Sequence, residues 1–265
     1  MDTRTNSAIE FVQWPVNSQF ESSFLDKKVL AIQTTRISPK LTSSEIDENK
    51  AYQNFNLGLH VGDCAKQVEY NRQLLQKSFP SKTSIQWLEQ VHGNSVVEIS
   101  RVTKKVIVAD AMVTREKNIA LAIMTADCLP ILLVSNKGDE IGAIHGGWRP
   151  LVANIIAKTV NKMHINGEQI YAWLGPCIGK EVFEVGKEVQ MAFVEQNGVF
   201  SQAFCKQKNG KYLANLHKIA TIQLNLVGIT KINVLPECTY SKSEKYYSYR
   251  KASVTGRMAT IISLL

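Results

Sequence analysis

The chain has 265 residues, 45% of them hydrophobic, and its 31 Lys+Arg against 23 Asp+Glu leave a net charge of +8. That composition excludes a disordered chain and suffices for one large domain or two small ones with a substantial core. The positive balance favours anionic small molecules, while the dispersed basic residues and the lack of a recognisable binding motif argue against a nucleic-acid partner.

Residues 1–10 carry Asp2, Arg4 and Glu10 and lack the apolar core of a signal peptide. Strands are expected at Ile9–Trp14 and Lys28–Thr34, followed by an aperiodic polar loop from Ser38 to Lys50. Asp63 is placed to cap a helix whose stripe is Val68, Leu75 and Phe79 and which Pro80 ends. Strands at Ile85–Glu89 and Ser95–Ser100 then put His92 in the turn between them.

Ile119–Met124 and Ile131–Ser135 read as buried strands joined by a tight polar connection, Thr125–Pro130, that exposes Asp127 and Cys128. This apolar segment is interrupted by Thr125, Asp127 and Pro130 and falls short of a membrane span, so no membrane partner is expected. Ile141–Ile144 is a third strand. After it, Gly146-Gly147 permits close backbone approach, and Pro150 suits the first turn of a helix carrying Leu151, Ile155, Val160 and Met163. His145 thus sits at a strand-to-helix junction beside N–H groups that favour anions.

A strand at Tyr171–Leu174, helices at Gly186–Gln196 and Leu216–Leu226, and strands at Lys231–Leu235 and Met258–Leu264 complete the pattern. Strands and helices interleave without a strict repeat, and no Pro/Gly/Ser-rich linker divides them, so residues 1–265 read as a single mixed α+β domain. The five cysteines, Cys64, Cys128, Cys177, Cys205 and Cys238, are scattered and form no C-x-x-C pair. Reduced thiols and a soluble cytoplasmic protein are the expectation.

Three residues stand out as metal ligands: His92 in Gln90-Val91-His92-Gly93, Cys128 in Thr125-Ala126-Asp127-Cys128-Leu129-Pro130, and His145 in Ala143-Ile144-His145-Gly146-Gly147-Trp148-Arg149. Imidazole and thiolate together favour zinc, and three protein ligands leave a position open for water or substrate. Their wide separation in sequence requires a folded scaffold rather than a zinc-finger knuckle. A lone His or Cys is ordinarily structural. Here a cysteine between two strands beside a carboxylate, together with two histidines next to glycines, is not what an apolar core needs. His60 is assigned to the same pocket, and His164 and His217 to structural roles.

A second constellation is basic: Arg149, then Tyr249-Arg250-Lys251 and Thr255-Gly256-Arg257. Guanidinium forks bind phosphate bidentately, and an adjacent hydroxyl and glycine N–H can finish the cradle. Arg149 and Arg250 are assigned to anion binding and Lys251 to solvent.

The chain resembles the laccase-domain proteins of the YfiH type, described as zinc-dependent purine nucleoside phosphorylases. The resemblance runs through Asn56-Leu57-Gly58, Gln90-Val91-His92, Thr125 to Pro130, His145 to Arg149, Leu174-Gly175-Pro176 with Ile178-Gly179, Phe183 to Gly186, Ser248-Tyr249-Arg250 and Thr255-Gly256-Arg257. The chain departs from the family pattern at Gly146, Pro150, Glu181, Val182 and Lys251, none of them a ligand position. A lysine at 251 replaces a fork by a point charge.

The resemblance implies a four-layer α/β/β/α sandwich with His92, Cys128 and His145 as zinc ligands. Asp127 joins them as a catalytic candidate that orients a ligand or the substrate, while Asn56, His60 and Arg257 complete the substrate- and phosphate-binding set with Arg149 and Arg250. The implied reaction is attack of inorganic phosphate on the ribose anomeric carbon of adenosine, inosine, guanosine or methylthioadenosine, and adenosine deamination is also attributed to the family. A rival reading is a cytoplasmic peptidoglycan-precursor amidase with Cys128 as nucleophile and His145 as base. A copper-dependent polyphenol oxidase is weaker, because a blue-copper centre would leave only three of the five histidines for a further copper cluster. A non-catalytic metal-binding protein is the remaining class.

Overall fold

Alternation of apolar residues with period two builds two sheets back to back. A computed structural model describes residues 8–16, 24–39, 51–52 and 54–265. In chain order its strands begin with β1 (Ile9–Phe11), β2 (Val29–Thr34), β3 (Ser84–Gln86), β4 (Val96–Glu98), β5 (Ala111–Thr114), β6 (Ile119–Thr125) and β7 (Leu129–Ser135). They continue with β8 (Ile141–Gly146), β9 (Ile170–Leu174), β10 (Glu184–Val185), β11 (Phe204–Lys206), β12 (Tyr212–Ala214), β13 (Lys231–Val234) and β14 (Met258–Leu264). The α-helices are α1 (Ala65–Gln76), α2 (Trp148–Val152), α3 (Ile155–Lys162), α4 (Lys187–Val194) and α5 (Leu216–Leu226).

One sheet has the order β1-β2-β14-β6-β3, the second β13-β9-β7-β8-β5-β4, and a small third sheet β10-β12-β11. The sequence of β6 shows why the large sheets stack. Ile119, Leu121 and Ile123 point into the space between the sheets, against Leu132, Val134, Ala143 and Ile262. The intervening Ala120 and Ala122 point the other way, onto Leu74, Leu75 and Phe79 at and just beyond α1. On the second sheet Leu129, Ile131 and Leu133 of β7 face outward and are covered by Ile155, Val189, Phe193 and Ile219 of α3, α4 and α5. Helix, sheet, sheet, helix is the four-layer sandwich that the resemblance implies. Burying both faces of each sheet is what allows strands with no polar face.

Several expectations are corrected. The strands of the β3/β4 and β6/β7 pairs, neighbours in sequence, belong to different large sheets. Both connections cross from one sheet to the other at one end of the sandwich. Cys64 rather than Asp63 occupies the cap position of α1. Asp63 instead accepts from the Cys64 N–H (2.7 Å) and the Asn56 amide (2.9 Å).

The helix expected from Pro150 to Met163 is broken at Asn154, whose φ of 59° lies in the left-handed region, so α2 and α3 are separate. Strands β5, β10, β11 and β12 were not expected. The turn between β11 and β12 contains Asn209-Gly210, with Gly210 at φ 82°, a signal the sequence did display. Residues 40–50 of the expected polar loop lie outside the described residues. Among the described residues no helix is long and apolar enough to cross a membrane.

Candidate functional site

The two sheet-to-sheet crossings deliver His92 and Cys128, and the end of β8 delivers His145. Between β6 and β7 only residues 126–128 span the gap, and Asp127 takes φ 93°, a costly conformation for a residue with a side chain. Its surroundings hold it there. The Asp127 carbonyl accepts from Ile178 N (2.9 Å), Oδ1 from the Thr239 hydroxyl (2.7 Å) and Oδ2 from Arg250 N (2.6 Å). Asp127 is therefore buried rather than exposed as expected, while Cys128 is half-buried.

At the other crossing His92 also has a positive φ, 58°. The N–H groups of Val91, His92 and Gly93 converge on the Asp110 carboxylate at 3.3, 3.0 and 2.7 Å. The same carboxylate, fully buried, accepts from His145 Nδ1 at 2.8 Å, and the Asp110 carbonyl accepts from His145 N at 2.8 Å. One residue thus positions both histidines. Sequence reasoning missed Asp110, although a carboxylate within the apolar run Val106–Val113 was a signal that something must satisfy it.

With Nδ1 of His145 engaged, its Nε2 is left to coordinate. The ligand atoms of His92, Cys128 and His145 lie within 4.8 Å of one another. Cys128 Sγ is 3.8 Å from His92 Nε2, and the two imidazole rings meet edge-on at 4.7 Å. Gly147 clears the space, since a Cβ there would sit 3.1 Å from Cys128 Sγ and 3.3 Å from His92 Cδ2.

The electrostatics couple these groups. Burial alone would raise the Cys128 thiol, but the charge and hydrogen bond of His145, with those of His92, bring it down to about 6. Burial likewise opposes a charged His145, yet Cys128 and Asp110 lift it to about 9. For Asp110 burial acts upward, and the His145 hydrogen bond and charge with the backbone N–H groups hold it below the usual carboxylate range.

This donor set fits a borderline-soft divalent cation. Two imidazoles and a thiolate converge, a carboxylate orients one imidazole from behind, and all three ligands line a cleft that a small ligand could enter. Among the described residues it is the one group of three or more such side chains close enough to share an ion.

The cluster opens into a cleft of about 450 Å³. Every residue expected at the site except Asn56 lines it: Asp127, His60, Arg149, Arg250 and Arg257 together with the three ligands. Gln90, Ile178, Phe183 and Tyr249 line it too and were not singled out as site residues. Gln90 pairs both side-chain atoms with the Met124 backbone at 2.8 Å, tying one crossing to the other.

Asn56 is fully buried and accepts from Gly58 N and Arg257 N, both at 2.9 Å, so it anchors the segment that presents Arg257. Arg149 and Arg250 are exposed at the rim, their guanidinium groups over the Trp148 ring (4.5 Å) and the Phe183 ring (5.4 Å). Lys251 is exposed and donates to Ser243. His60, also exposed, is kept below its ordinary value by partial burial and by the charges of Arg257 and Arg72.

Comparison with known proteins agrees with the layered fold. Residues 43–265 match the family described as multi-copper polyphenol oxidoreductase laccase. The chain is 42% identical over 216 residues to the purine nucleoside phosphorylase YfiH of Escherichia coli, covering 81% of this chain and 88% of that protein. It is 40% identical over 213 residues to a purine nucleoside phosphorylase of Haemophilus influenzae, covering 80% and 87%. A crystal structure of a Neisseria meningitidis protein superposes with a TM-score of 0.86 at 32% identity, over 97% of this chain and 99% of that one. By sequence and by fold the chain belongs to the laccase-domain family that includes YfiH.

Proposed function

We propose that this chain is a zinc-dependent purine nucleoside phosphorylase, transferring the ribosyl group of adenosine, inosine, guanosine or methylthioadenosine to inorganic phosphate. The observation that carries this reading is one cleft that unites an open two-imidazole, one-thiolate donor set with three arginines. The names of the relatives support the same reaction.

His92, Cys128 and His145 hold the metal, which when bound supplies Lewis-acid polarisation or an activated water. Asp110 keeps the His145 proton on Nδ1. Arg149 and Arg250 hold the phosphate at the rim through charge-assisted forks. Phe183 and Tyr249 offer flat apolar surface for a purine ring. Asp127, with both carboxylate oxygens engaged by protein, acts by fixing Arg250 and the ligand-bearing turn. His60 meets the substrate from the rim, and Asn56 acts only through Arg257.

The test is a nucleoside panel on zinc-loaded protein with and without phosphate. Phosphate-dependent release of base and ribose 1-phosphate is the expected result, and base release indifferent to phosphate overturns it. Conversion of adenosine to inosine without phosphate would be a second reaction of the same cleft, using water in place of phosphate.

One observation favours a second reading. A thiol near 6 beside an imidazole near 9 is also the arrangement of a nucleophile and its base, as the amidase reading needs. The two separate at Cys128→Ala: loss of zinc together with activity belongs to the phosphorylase, whereas full zinc occupancy with loss of amide hydrolysis alone belongs to the amidase.

A further inference from the structure

Outside the cleft lining, behind Asp127, Cys177 and Cys238 are partners in an isolated parallel bridge. Cys177 N donates to the Glu237 carbonyl (3.3 Å) and Thr239 N to the Cys177 carbonyl (3.0 Å). Partner residues on neighbouring strands lie about 5 Å apart and send their side chains to the same face. That spacing falls inside the Cα window of a disulfide, roughly 4.4–6.8 Å. Both thiols are free.

Their surroundings differ. Cys238, half-buried, receives two backbone N–H groups on its sulfur, from Gly179 (3.2 Å) and Ser241 (3.4 Å). It is the more accessible sulfur of the two and so the one an oxidant in solution reaches first. Cys177 is 1% exposed, and burial first, then the neighbouring Cys238, Cys128 and Asp127, hold its thiol protonated. His217 donates through Nε2 to the Gly175 carbonyl at 2.8 Å. Its Nε2 and Nδ1 lie 3.6 and 3.9 Å from Cys177 Sγ, and the thiol itself donates to the Ile178 carbonyl at 3.5 Å. Burial disfavours the charged form of this imidazole.

We propose that Cys238 is a site of oxidative modification by small hydroperoxides and that Cys177 resolves it into a Cys177–Cys238 disulfide. In the first step the Cys238 thiolate attacks a peroxide oxygen: the S–O bond forms, the O–O bond breaks, and the departing hydroxide takes a solvent proton, leaving a sulfenic acid. In the second, the Cys177 sulfur attacks the Cys238 sulfur. The S–S bond forms, the S–O bond breaks, and the hydroxide leaves as water with the Cys177 proton. Two thiols and one hydrogen peroxide give one disulfide and two waters. The bond closes one residue from Ile178 and one from Thr239, two of the three residues that hold Asp127. A reduced thiol pool reverses it, as suits a regulatory disulfide.

The experiment treats reduced, zinc-loaded full-length protein with hydrogen peroxide and maps its peptides by mass spectrometry. A Cys177–Cys238 linked peptide that dithiothreitol removes is expected. Cys177→Ser should accumulate a dimedone-trapped sulfenic acid at Cys238, and Cys238→Ser should lose both products. Oxidation confined to the exposed Cys64 and Cys205, or a Cys238 that traps no dimedone in folded Cys177→Ser protein, overturns the proposal. Should Cys177→Ser fail to fold, the linked peptide in the unmodified sequence decides alone: its presence supports the proposal and its absence overturns it.

Discussion

Two cysteine–histidine pairs lie on either side of Asp127, and they settle into opposite charge states. At Cys128 and His145 the thiol falls to about 6 and the imidazole rises to about 9. At Cys177 and His217, with Nε2 of the ring 3.6 Å from the sulfur, burial pushes the thiol up and the imidazole down, so both are neutral. Burial works against charge in both pairs.

What separates them is the third group. His145 gives its second nitrogen to the Asp110 carboxylate at 2.8 Å, and a fixed negative charge favours the imidazolium, which in turn favours the thiolate. His217 gives Nε2, the nitrogen nearer the Cys177 sulfur, to a neutral carbonyl, Gly175, at 2.8 Å. A hydrogen bond to a neutral acceptor orients the ring without offsetting the loss of solvation. The carboxylate behind the ring, more than the pairing of sulfur with nitrogen, therefore decides which pair is suited to hold a cation.

The severest way to break the contrast is to delete the sulfur of the charged pair. Cys128→Ala should lose metal and turnover together, with a fall in affinity beyond the roughly 10- to 100-fold that outer partners command. Equilibrium dialysis with zinc measures it. Asp110→Asn should convert the first pair into a likeness of the second. Zinc affinity, read by competition with a chelator, should drop by about 10- to 100-fold, and the alkylation midpoint of Cys128 in metal-free protein should rise. An unchanged midpoint would mean that the carboxylate is not the deciding group.

Arg149→Ala and Arg250→Ala should reduce phosphorolysis about tenfold in kcat/KM, or about 1.5 kcal/mol, and leave phosphate-independent deamination largely intact. The lower end of the range for a charged hydrogen bond applies because both guanidinium groups are exposed at the rim. Retention of full phosphate dependence in both variants would return them to the solvated surface.

The pH dependence of the metal-free protein sharpens the comparison further. Cys128, lowered from 9.0 to about 6, contributes stability in full above its unfolded value and loses it as pH falls through about 6. His145, raised from 6.5 to about 9, contributes in full below 6.5 and loses it as pH rises through about 9. The ion pair requires both charges. Thermal melting should therefore be highest between about pH 6 and 9, and Cys128→Ser should flatten that window. The smallest effect is expected at the neutral pair, where His217→Asn should leave zinc affinity unchanged in the same chelator assay.

The sequence by itself determined a great deal here. The short, nearly continuous apolar runs at Ile119–Met124 and Met258–Leu264 can bury both faces only inside a layered sheet, and their local pattern is enough to place them. The boundaries of α5 and β14 match expectation because each is set by neighbouring residues. His92, Cys128 and His145 were legible as a group because ligand chemistry is written in residue type, and the arginines because guanidinium forks are.

Tertiary structure decided what depends on residues distant in the chain. Asp110 looks like one more polar interruption of a strand until folding brings Val91, His92, Gly93 and His145 to its two oxygens. The burial of Asp127 follows from Thr239 and Arg250, more than a hundred positions later. That the two connections cross between sheets was hidden, because hydrophobic period reports which face of a strand is buried and carries no information about which sheet it joins. The charge on each thiol was equally hidden. Residue type fixes a pKa in water, and only the assembled neighbours fix the balance between lost solvation and a carboxylate across 2.8 Å.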